Sequence, residues 1–223
     1  MIKFIKEEIK VIKDRDPAIR SSFEVFLYPS FKALYKYQIA HWFFRHKRYF
    51  LARWISQRAA RKTGIEIHPG ATIGKGLFID HGMGVVIGET CEIGDNVTIY
   101  QGVTLGGTGK EKGKRHPTIG DNVMISAGAK ILGSFKVGDN SRIGAGSVVL
   151  SEVPSNSTVV GIPGRVVKRN DERVSPSSVL DHIHLPDPVK MELCSLLCRI
   201  EKIEKEIGIK LDKKDEQIHE NNI

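Results

Sequence analysis

The chain has 223 residues, a formal net charge of +8 and three cysteines. This length accommodates one or two domains with a sizeable core, and three cysteines are too few for a disulfide framework. The glycine-rich middle of the chain has no basic run interleaved with aromatic residues, which argues against nucleic-acid binding and favours a solvated surface or a mild field for anionic ligands.

Residues 1–63 are predicted to form an N-terminal helical domain. Isoleucines recur there at steps of three and four residues, as in an amphipathic helix: Ile2, Ile5, Ile9 and Ile12. Asp16 and Pro17 suit an N-cap and a first helical position, so a second helix is expected to begin there. Residues 31–62 carry aromatic side chains at helical spacing, which indicates packing. The first ten residues lack the uncharged apolar stretch of a signal peptide or membrane span, so a cytoplasmic protein is expected.

Residues 64–168 are predicted to form a parallel β-helix. Of the 22 glycines in the chain, 21 lie between Gly64 and Gly164, at the tight corners that such a solenoid needs. An aliphatic residue recurs every sixth position, which predicts a buried column. The column consists of Ile67, Ile73, Ile79, Ile87, Ile93, Ile99, Leu105, Ile119, Ile125, Ile131, Val137, Ile143 and Val149.

Two interruptions of this period indicate a functional site. The step from Ile79 to Ile87 is eight residues and contains Asp80-His81, whereas the step from Leu105 to Ile119 is fourteen and contains Arg115-His116. Solenoids accept insertions on one face, and that face often binds ligands. A lone Asp-His pair at a corner is more often a capped turn, but two interruptions with similar residues favour a site.

Residues 169–223 are predicted to be a connector, a helix with a heptad pattern and a tail. "LPDP" at 185–188 precedes apolar residues at steps of four and three: Val189, Leu193, Leu196, Ile200, Ile203 and Ile207. Isoleucine at both seam positions in the second half of this helix favours three strands, although a helix packed on its own subunit fits the same short pattern. Cys194 and Cys198 lie one helical turn apart but lack the further ligands that zinc requires.

The residues at the interruptions fit an amino-acid substrate that carries a nucleophile. His81 suits a general base near neutral pH, and Glu66, fifteen residues earlier, is expected to orient it from an adjacent coil of about eighteen residues. Asp80 should project to a different side in an extended chain, where it can bind an ammonium group. Arg115 offers a donor fork for a carboxylate.

Four segments resemble the serine acetyltransferase family. They are "RDPA" at 15–18, "IEIHPGATIGKGLFIDHGMGVVIGET" at 65–90, "VTLGGTGKEKGKRHP" at 103–117 and "GIPGRVV" at 161–167. Hexapeptide repeats alone are shared by many acyltransferases, whereas "DHGMG" followed by "GGTGK" and "RHP" is far more specific. The resemblance implies a left-handed β-helix assembled as a trimer, with active sites between subunits. It also implies acetyl transfer from acetyl-CoA to the L-serine hydroxyl, the first step of cysteine synthesis from serine, without a metal.

The same resemblance implies a role for each site residue. His81 would be the general base with Glu66 behind it, although many members have aspartate at that position, and Asp16 and Asp80 would hold the serine ammonium. Arg115 and His116 would hold the carboxylate, with His116 contributed by the adjacent subunit. Gly107, Thr108, Ala127 and Ala145 would contact acetyl-CoA.

The family resemblance further implies regulation and assembly. L-cysteine is expected to inhibit by competing at the serine site, since it carries the same ammonium and carboxylate. A trimer is expected, and a dimer of trimers is possible although the N-terminal region is shorter than in the longest members. Ile223 is expected either to dock into O-acetylserine sulfhydrylase or to end an unstructured tail by chance.

Three other functions fit part of the pattern. A hexapeptide acyltransferase could act on a sugar or on a homoserine-like acceptor, but Asp16, Asp80 and Arg115 argue against a sugar. A zinc enzyme resembling the γ-carbonic anhydrases would need three convergent histidines, for which His68, His81 and His116 are the candidates. A non-catalytic trimeric scaffold would have no use for histidines in both interruptions.

Overall fold

The computed structural model describes residues 2–109 and 112–169, together with positions 196, 197, 199, 200, 202 and 203. The chain divides into two compact units, residues 1–185 and 186–223. In the second unit the six described positions are helical, within the segment predicted to carry the heptads. Leu196, Leu197, Ile200 and Ile203 are each about half exposed there. The rest of the predicted C-terminal tail, including Ile223, lies outside the described residues.

The first unit begins with three α-helices and one 3₁₀ helix. They are α1 (Ile2–Arg15), the 3₁₀ helix (Glu24–Leu27), α2 (Pro29–Arg45) and α3 (Tyr49–Thr63). Gly64 ends α3 in a left-handed conformation, with φ of 71°, and its N–H bonds to the carbonyl of Ala60. Among the described residues, no helix has both the length and the apolar character needed to cross a membrane.

The helix expected to begin at Asp16-Pro17 is absent, so that prediction was wrong. These residues form a turn directly after α1, and the next helical segment begins at Glu24. Asp16 Oδ1 accepts a hydrogen bond from the N–H of Ala18 at 2.8 Å. A carboxylate that bonds two residues ahead stabilises an Asx turn as readily as it caps a helix, and the local sequence does not distinguish the two.

In the described part of the chain, fifteen short strands follow and stack into three sheets. The first sheet contains β1 (Ile65–Ile67), β4 (Val85–Ile87), β7 (Thr104–Gly106), β10 (Lys130–Leu132) and β13 (Val148–Val149). The second contains β2 (Thr72–Ile73), β5 (Glu92–Ile93), β8 (Thr118–Ile119) and β11 (Lys136–Val137). The third contains β3 (Phe78–Ile79), β6 (Thr98–Ile99), β9 (Met124–Ile125), β12 (Arg142–Ile143), β14 (Ser157–Val160) and β15 (Arg165–Arg169).

These strands make a three-sided solenoid, which confirms the predicted helical region followed by a parallel β-helix. From β1 to β13 successive strands enter successive sheets, β14 and β15 both join the third sheet, and the strand pairs are parallel except β14–β15, which is antiparallel. The aliphatic residues at the six-residue period form the core, and all of them are buried except Ile73, which is partly buried. The period is therefore the distance from one sheet to the next.

The corners between sheets stack into three edges, and two of them carry the interruptions. The His81 edge joins the third sheet to the first and comprises residues 80–84, 100–103, 126–129 and 144–147. The His116 edge joins the first sheet to the second and comprises residues 68–71, 88–91, 107–109, 112–117 and 133–135. The Asn edge joins the second to the third and comprises residues 74–77, 94–97, 120–123, 138–141 and 154–156.

The Asn edge is held by a ladder of side chains. Asn96, Asn122, Asn140 and Asn156 all have positive φ, between 56° and 59°. Asn122 Nδ2 donates to Asn140 Oδ1 at 3.2 Å, and Asn140 Nδ2 donates to Asn156 Oδ1 at 3.1 Å. Asparagine tolerates this left-handed conformation better than other residues with a Cβ, so the same residue type recurs at each coil.

Candidate active site

His81 lies at the corner created by the eight-residue step. The N–H of Asp80 continues the ladder by bonding to the carbonyl of Ile99 at 2.9 Å, and the chain then reverses through His81, whose φ is 57°. The chain is therefore not extended at His81, whereas the predicted direction of the Asp80 side chain required an extended chain. The His81 side chain is 74 % exposed and that of Asp80 is 22 % exposed. A fixed corner thus presents an accessible imidazole.

The carboxylate beside His81 is that of its neighbour. Asp80 Oδ1 lies 3.9 Å from His81 Nε2. Glu66, in the middle of β1, instead accepts a hydrogen bond from Gln57 Nε2 at 3.2 Å and lies 3.8 Å from Arg53 Nη1. Within the described part of the chain, Glu66 is thus held by α3, and its oxygens are not within ion-pair distance of His81.

Asp16 directly follows α1, whose last residue is held against the third sheet. The preceding Arg15 is buried, and its Nη1 donates to the carbonyl of Val97 at 3.2 Å and lies 3.3 Å from Thr98 Oγ1. Its guanidinium also lies 5.9 Å from the ring centroid of Phe78, two residues before Asp80. Arg15 therefore fixes the turn that carries Asp16 to the third sheet, which carries Asp80.

Tyr28 is affected by the charges of both Asp16 and Asp80. The Tyr28 hydroxyl donates to Asp16 Oδ2 at 2.5 Å. Burial, the hydrogen bond to Asp16 and the nearby charges of Asp16, Glu24 and Asp80 raise the pKa of Tyr28 to about 12. Both carboxylates predicted to bind an ammonium group thus raise the pKa of the same phenol, Asp16 through a direct hydrogen bond and Asp80 as the weakest of the charges.

Arg115 and His116 are fixed to a different edge by one threonine. The hydroxyl oxygen of Thr90 accepts hydrogen bonds from the backbone N–H groups of Arg115 at 3.0 Å and His116 at 3.1 Å. The N–H and hydroxyl of Thr90 in turn lie 3.2 Å and 2.9 Å from His116 Nδ1. The end of the long loop is thereby bound to the corner of the preceding coil.

These contacts determine the protonation of His116. A backbone N–H can only donate, so Nδ1 is an acceptor and the proton of the neutral ring lies on Nε2. Burial lowers the pKa of His116, as do the Arg115 and Lys114 cations, while Glu89 opposes them. His116 is 9 % exposed and is neutral near pH 7, with Nε2–H as its donor. A neutral donor beside an arginine suits a carboxylate ligand.

Two neighbours complete the His116 edge. The guanidinium of Arg115 pairs with Glu89, and this hydrogen bond lowers the pKa of Glu89. An incoming carboxylate must therefore share or displace Glu89 to bind Arg115. Gly88 lies under the His116 ring so closely that a Cβ added there would be 2.0 Å from Cδ2 and 2.1 Å from Nε2.

The residues predicted to contact acetyl-CoA fall on both edges. Gly107 and Thr108 are exposed on the His116 edge, directly after β7. Ala127 and Ala145 occupy equivalent corners of successive coils on the His81 edge, where the carbonyl of Ala127 bonds to the N–H of Gly146 at 2.9 Å. Ala145 is exposed and Ala127 partly buried, so the small side chains leave the backbone of this edge accessible.

One chain does not bring all predicted site residues together. Asp80 and His81 lie at one edge of the first sheet, whereas Arg115 and His116 lie at the other. Strand β4 alone spans about 10 Å at roughly 3.3 Å per residue, which exceeds the reach of a small amino acid. A single edge of the chain therefore does not present both groups.

Four residues at or near these edges were not predicted from the sequence. Gly88, Glu89 and Thr90 belong to one of the segments that carry the family resemblance, but the pattern assigned them no role. Tyr28 has no local signal, since its partner lies twelve residues earlier across a turn. Among the described residues, no group of three or more His, Cys, Asp or Glu side chains is arranged to hold a metal ion.

Comparison with known proteins identifies the family. The model for "Bacterial transferase hexapeptide (six repeats)" matches residues 116–151. The serine acetyltransferase of Bacillus pumilus is 57 % identical over 216 residues, covering 96 % of this chain and 98 % of the relative. That of Bacillus subtilis is 60 % identical over 206 residues, covering 92 % of this chain and 94 % of the relative.

Solved structures of serine acetyltransferases share this fold. One in complex with cysteine has a TM-score of 0.78 at 40 % identity and covers 82 % of this chain and 72 % of its own. The Brucella abortus enzyme with coenzyme A has a TM-score of 0.73 at 44 % identity, with 75 % and 68 % covered. The Neisseria gonorrhoeae enzyme with serine has a TM-score of 0.72 at 44 % identity, with 75 % and 69 % covered. The chain therefore belongs to the serine acetyltransferase family.

Proposed function

We propose that this protein transfers the acetyl group of acetyl-CoA to the hydroxyl of L-serine, which yields O-acetylserine and coenzyme A. This reaction is the first step of cysteine synthesis from serine. The observation that carries the proposal is the separation of charge between the edges. Asp80 and an accessible imidazole lie on the His81 edge, Asp16 bonds to a tyrosine whose pKa Asp80 also raises, and an arginine with a neutral histidine donor lies on the His116 edge. An amino acid with a hydroxyl group suits both edges, because its ammonium group and hydroxyl suit the carboxylates and the imidazole, and its carboxylate suits the arginine and the histidine donor.

His81 is assigned as the general base. It removes the proton from the serine hydroxyl, and the resulting alkoxide attacks the thioester carbonyl to form a tetrahedral intermediate. The intermediate collapses, the C–S bond breaks, and the coenzyme A thiolate takes the proton from the imidazolium. The 74 % exposure of His81 in the single chain leaves its ring accessible to a hydroxyl group.

A carboxylate must support the imidazolium while it holds the proton. We assign this role to Glu66, as the family resemblance implies. Asp80 is the competing carboxylate because its Oδ1 lies 3.9 Å from His81 Nε2, whereas Glu66 is held by Gln57 and Arg53. Substituting each carboxylate separately distinguishes them, as described below.

The charged ends of serine are assigned to the two edges. Asp16 and Asp80 bind the ammonium group, and their shared effect on Tyr28 supports a common position. Arg115 binds the carboxylate as a cation, and His116 donates to it from Nε2 without adding charge. L-cysteine has the same ammonium and carboxylate, so we expect it to compete with serine. A related serine acetyltransferase has been solved with cysteine bound.

Acetyl-CoA is assigned to both edges. Gly107 and Thr108 on the His116 edge offer backbone N–H groups near the thioester, which would stabilise the oxyanion of the intermediate. Ala127 and Ala145 on the His81 edge let the pantetheine arm lie against the coil. The exposure of Ala145 supports this assignment, as does its position one coil beyond the partly buried Ala127.

We propose that three chains form the functional unit, with each site between two of them. The separation of the two edges supports this arrangement. A dimer of trimers is a further proposal that light scattering of the intact protein tests. Docking of Ile223 on O-acetylserine sulfhydrylase stays a prediction, which loss of co-purification after deletion of Ile223 would support and undiminished binding would contradict.

The proposed function is tested by thiol release from acetyl-CoA. L-Serine, L-homoserine and a galactoside are supplied separately to the wild type and to His81→Ala. Release with serine that largely disappears in His81→Ala supports both the reaction and the base. Release with another acceptor but not with serine would refute the substrate assignment.

The shared site is tested by mixing two inactive variants. His81→Ala and His116→Ala are co-expressed and compared with each variant alone. If the site lies between chains, random mixing restores roughly a quarter of the wild-type activity, because one in four edge pairs carries both histidines. A site within one chain predicts no restoration, since every chain lacks one histidine.

A further inference from the structure

Tyr28 joins two structural elements next to the proposed ammonium site. It follows the 3₁₀ helix and precedes Pro29, the first residue of α2, in an extended conformation with φ of −61° and ψ of 128°. Its N–H bonds to the carbonyl of Val25 at 3.1 Å. The backbone of this tyrosine is thus held by the element before it.

The ring of Tyr28 packs on the cluster that connects the helices to the third sheet. That cluster contains Ile12, Val25, Phe31 and Phe78. Phe78 is the first residue of β3, and Asp80 follows that strand directly. The ring therefore packs on a cluster that includes the residue two positions before one proposed ammonium ligand, while its hydroxyl bonds to the other ligand.

Both oxygens of Asp16 have hydrogen-bond donors. Tyr28 donates to Oδ2 at 2.5 Å, and the N–H of Ala18 donates to Oδ1 at 2.8 Å. A carboxylate with two donors has a fixed orientation, whereas an aspartate in a turn with one donor can rotate about its side-chain bonds. Fixing that orientation before a ligand arrives reduces the entropy lost on binding.

Tyr28 remains a donor under all ordinary assay conditions. Burial and the surrounding carboxylates raise its pKa to about 12, so the phenol is protonated at neutral pH. It cannot serve as a general base there. Its chemical role is to donate one hydrogen bond to a carboxylate.

We propose that Tyr28 is a positioning residue for the amino-acid acceptor, which orients Asp16 so that Asp16 and Asp80 together receive the ammonium group. This inference rests on the proposed function, because it assumes an acceptor with an ammonium group. Tyr28 acts through Asp16 and does not contact the reacting hydroxyl or the thioester. Its removal should therefore weaken acceptor binding and leave acetyl-CoA binding unchanged.

The test is Tyr28→Phe, which keeps the packed ring and removes the hydroxyl. We expect the KM for L-serine to rise about tenfold, the factor typical of one hydrogen bond to a charged group, while kcat and the KM for acetyl-CoA stay within about twofold. The matched control is Tyr35→Phe on α2. In the described part of the chain the structure gives the Tyr35 hydroxyl no hydrogen bond, and its ring stacks on Phe31 with centroids 6.3 Å apart.

A double-mutant cycle separates positioning from general damage. If Tyr28 acts through Asp16, adding Tyr28→Phe to Asp16→Asn raises the KM for serine no further. Additive effects, equal losses for serine and acetyl-CoA, or an unchanged KM in Tyr28→Phe would each overturn the proposal. Thermal unfolding of all variants identifies any loss that comes from folding.

The outcomes also distinguish this inference from the proposed function. If the wild type uses L-homoserine instead of L-serine, the substrate assignment fails, but the same KM comparison on homoserine still decides the role of Tyr28. If the wild type uses only an acceptor without an ammonium group, both proposals fail. If serine is the acceptor and Tyr28→Phe behaves as wild type, only the role of Tyr28 is refuted.

Discussion

Substituting Gly88 by alanine tests whether the position of the His116 ring determines carboxylate binding. A Cβ at Gly88 would lie 2.0 Å from His116 Cδ2 and 2.1 Å from Nε2. Ordinary contact between carbon atoms requires about 3.5 Å, so the ring must move by roughly 1.5 Å. Gly88 does not have a positive φ, so the added methyl group acts through this overlap and not through backbone strain.

The expected loss follows from the contacts of the ring. Such a shift breaks the two hydrogen bonds that Thr90 gives to His116 Nδ1, at 3.2 Å and 2.9 Å. At about 1 kcal/mol for each bond, the orientation of the Nε2 donor loses about 2 kcal/mol. That energy corresponds to a fall of about thirtyfold in kcat/KM for L-serine.

The assay compares thiol release at varied serine and varied acetyl-CoA. We expect the loss in Gly88→Ala to fall on serine, because His116 is assigned to its carboxylate. Gly120→Ala is the matched control, since its Cβ would lie 2.1 Å from Asp139 Oδ1 on the Asn edge. It should lower the unfolding temperature while kcat/KM for serine stays within about twofold.

One result would refute this reasoning. If Gly88→Ala folds with the thermal midpoint of the wild type and keeps its kcat/KM for serine, then the position of the His116 ring does not control carboxylate binding. An equal loss for serine and acetyl-CoA would instead indicate that the corner as a whole is distorted.

Three further predictions concern other parts of the chain. The pKa of Glu8 is raised from 4.5 to about 7, mainly by burial. The folded state therefore binds this proton more tightly than the unfolded state, and the free energy of unfolding falls as the pH rises through 7. Glu8→Gln should remove about 3 kcal/mol of this difference between urea unfolding at pH 5 and at pH 8.5. If Glu66 supports His81, Glu66→Gln should lower kcat while the KM for serine changes less. The same loss of kcat in Asp80→Asn but not in Glu66→Gln would assign the support to Asp80. Asn140→Ala should cost about 2 kcal/mol in the same unfolding assay, because it removes two side-chain hydrogen bonds and leaves alanine at a φ of 59°, and Asn140→Gly should cost less.

The solenoid could be predicted because its rule is local. Each coil repeats the same aliphatic position at a fixed step, and burial of Ile87, Ile93 and Ile99 in three successive sheets confirms that step. The interruptions were equally visible, since an insertion changes the count between two aliphatic residues. Their residue types indicated an acid–base site before any contact was known.

The turn at Asp16 marks the limit of such local rules. Aspartate followed by proline suits both a helix start and an Asx turn, and the sequence alone favoured the helix. The structure has the turn, because Tyr28 and Ala18 donate to the Asp16 carboxylate and the side chain of Arg15, the residue before Asp16, bonds to the third sheet. The deciding partners lie up to 83 residues away in the chain.

The sequence by itself determined the class of fold, the positions of its corners and the chemical groups available at each interruption. Periodicity and residue type suffice for these, because strand formation, corner formation and the kind of acid or base that a side chain offers depend mainly on the residue and its near neighbours. Only the tertiary structure decided that Glu66 faces Arg53 on α3 and that Thr90 sets the tautomer of His116. It also decided that Asp80-His81 and Arg115-His116 lie on opposite edges of the first sheet. Side-chain partners from separate coils and helices meet through packing, and no local pattern encodes which of them will meet.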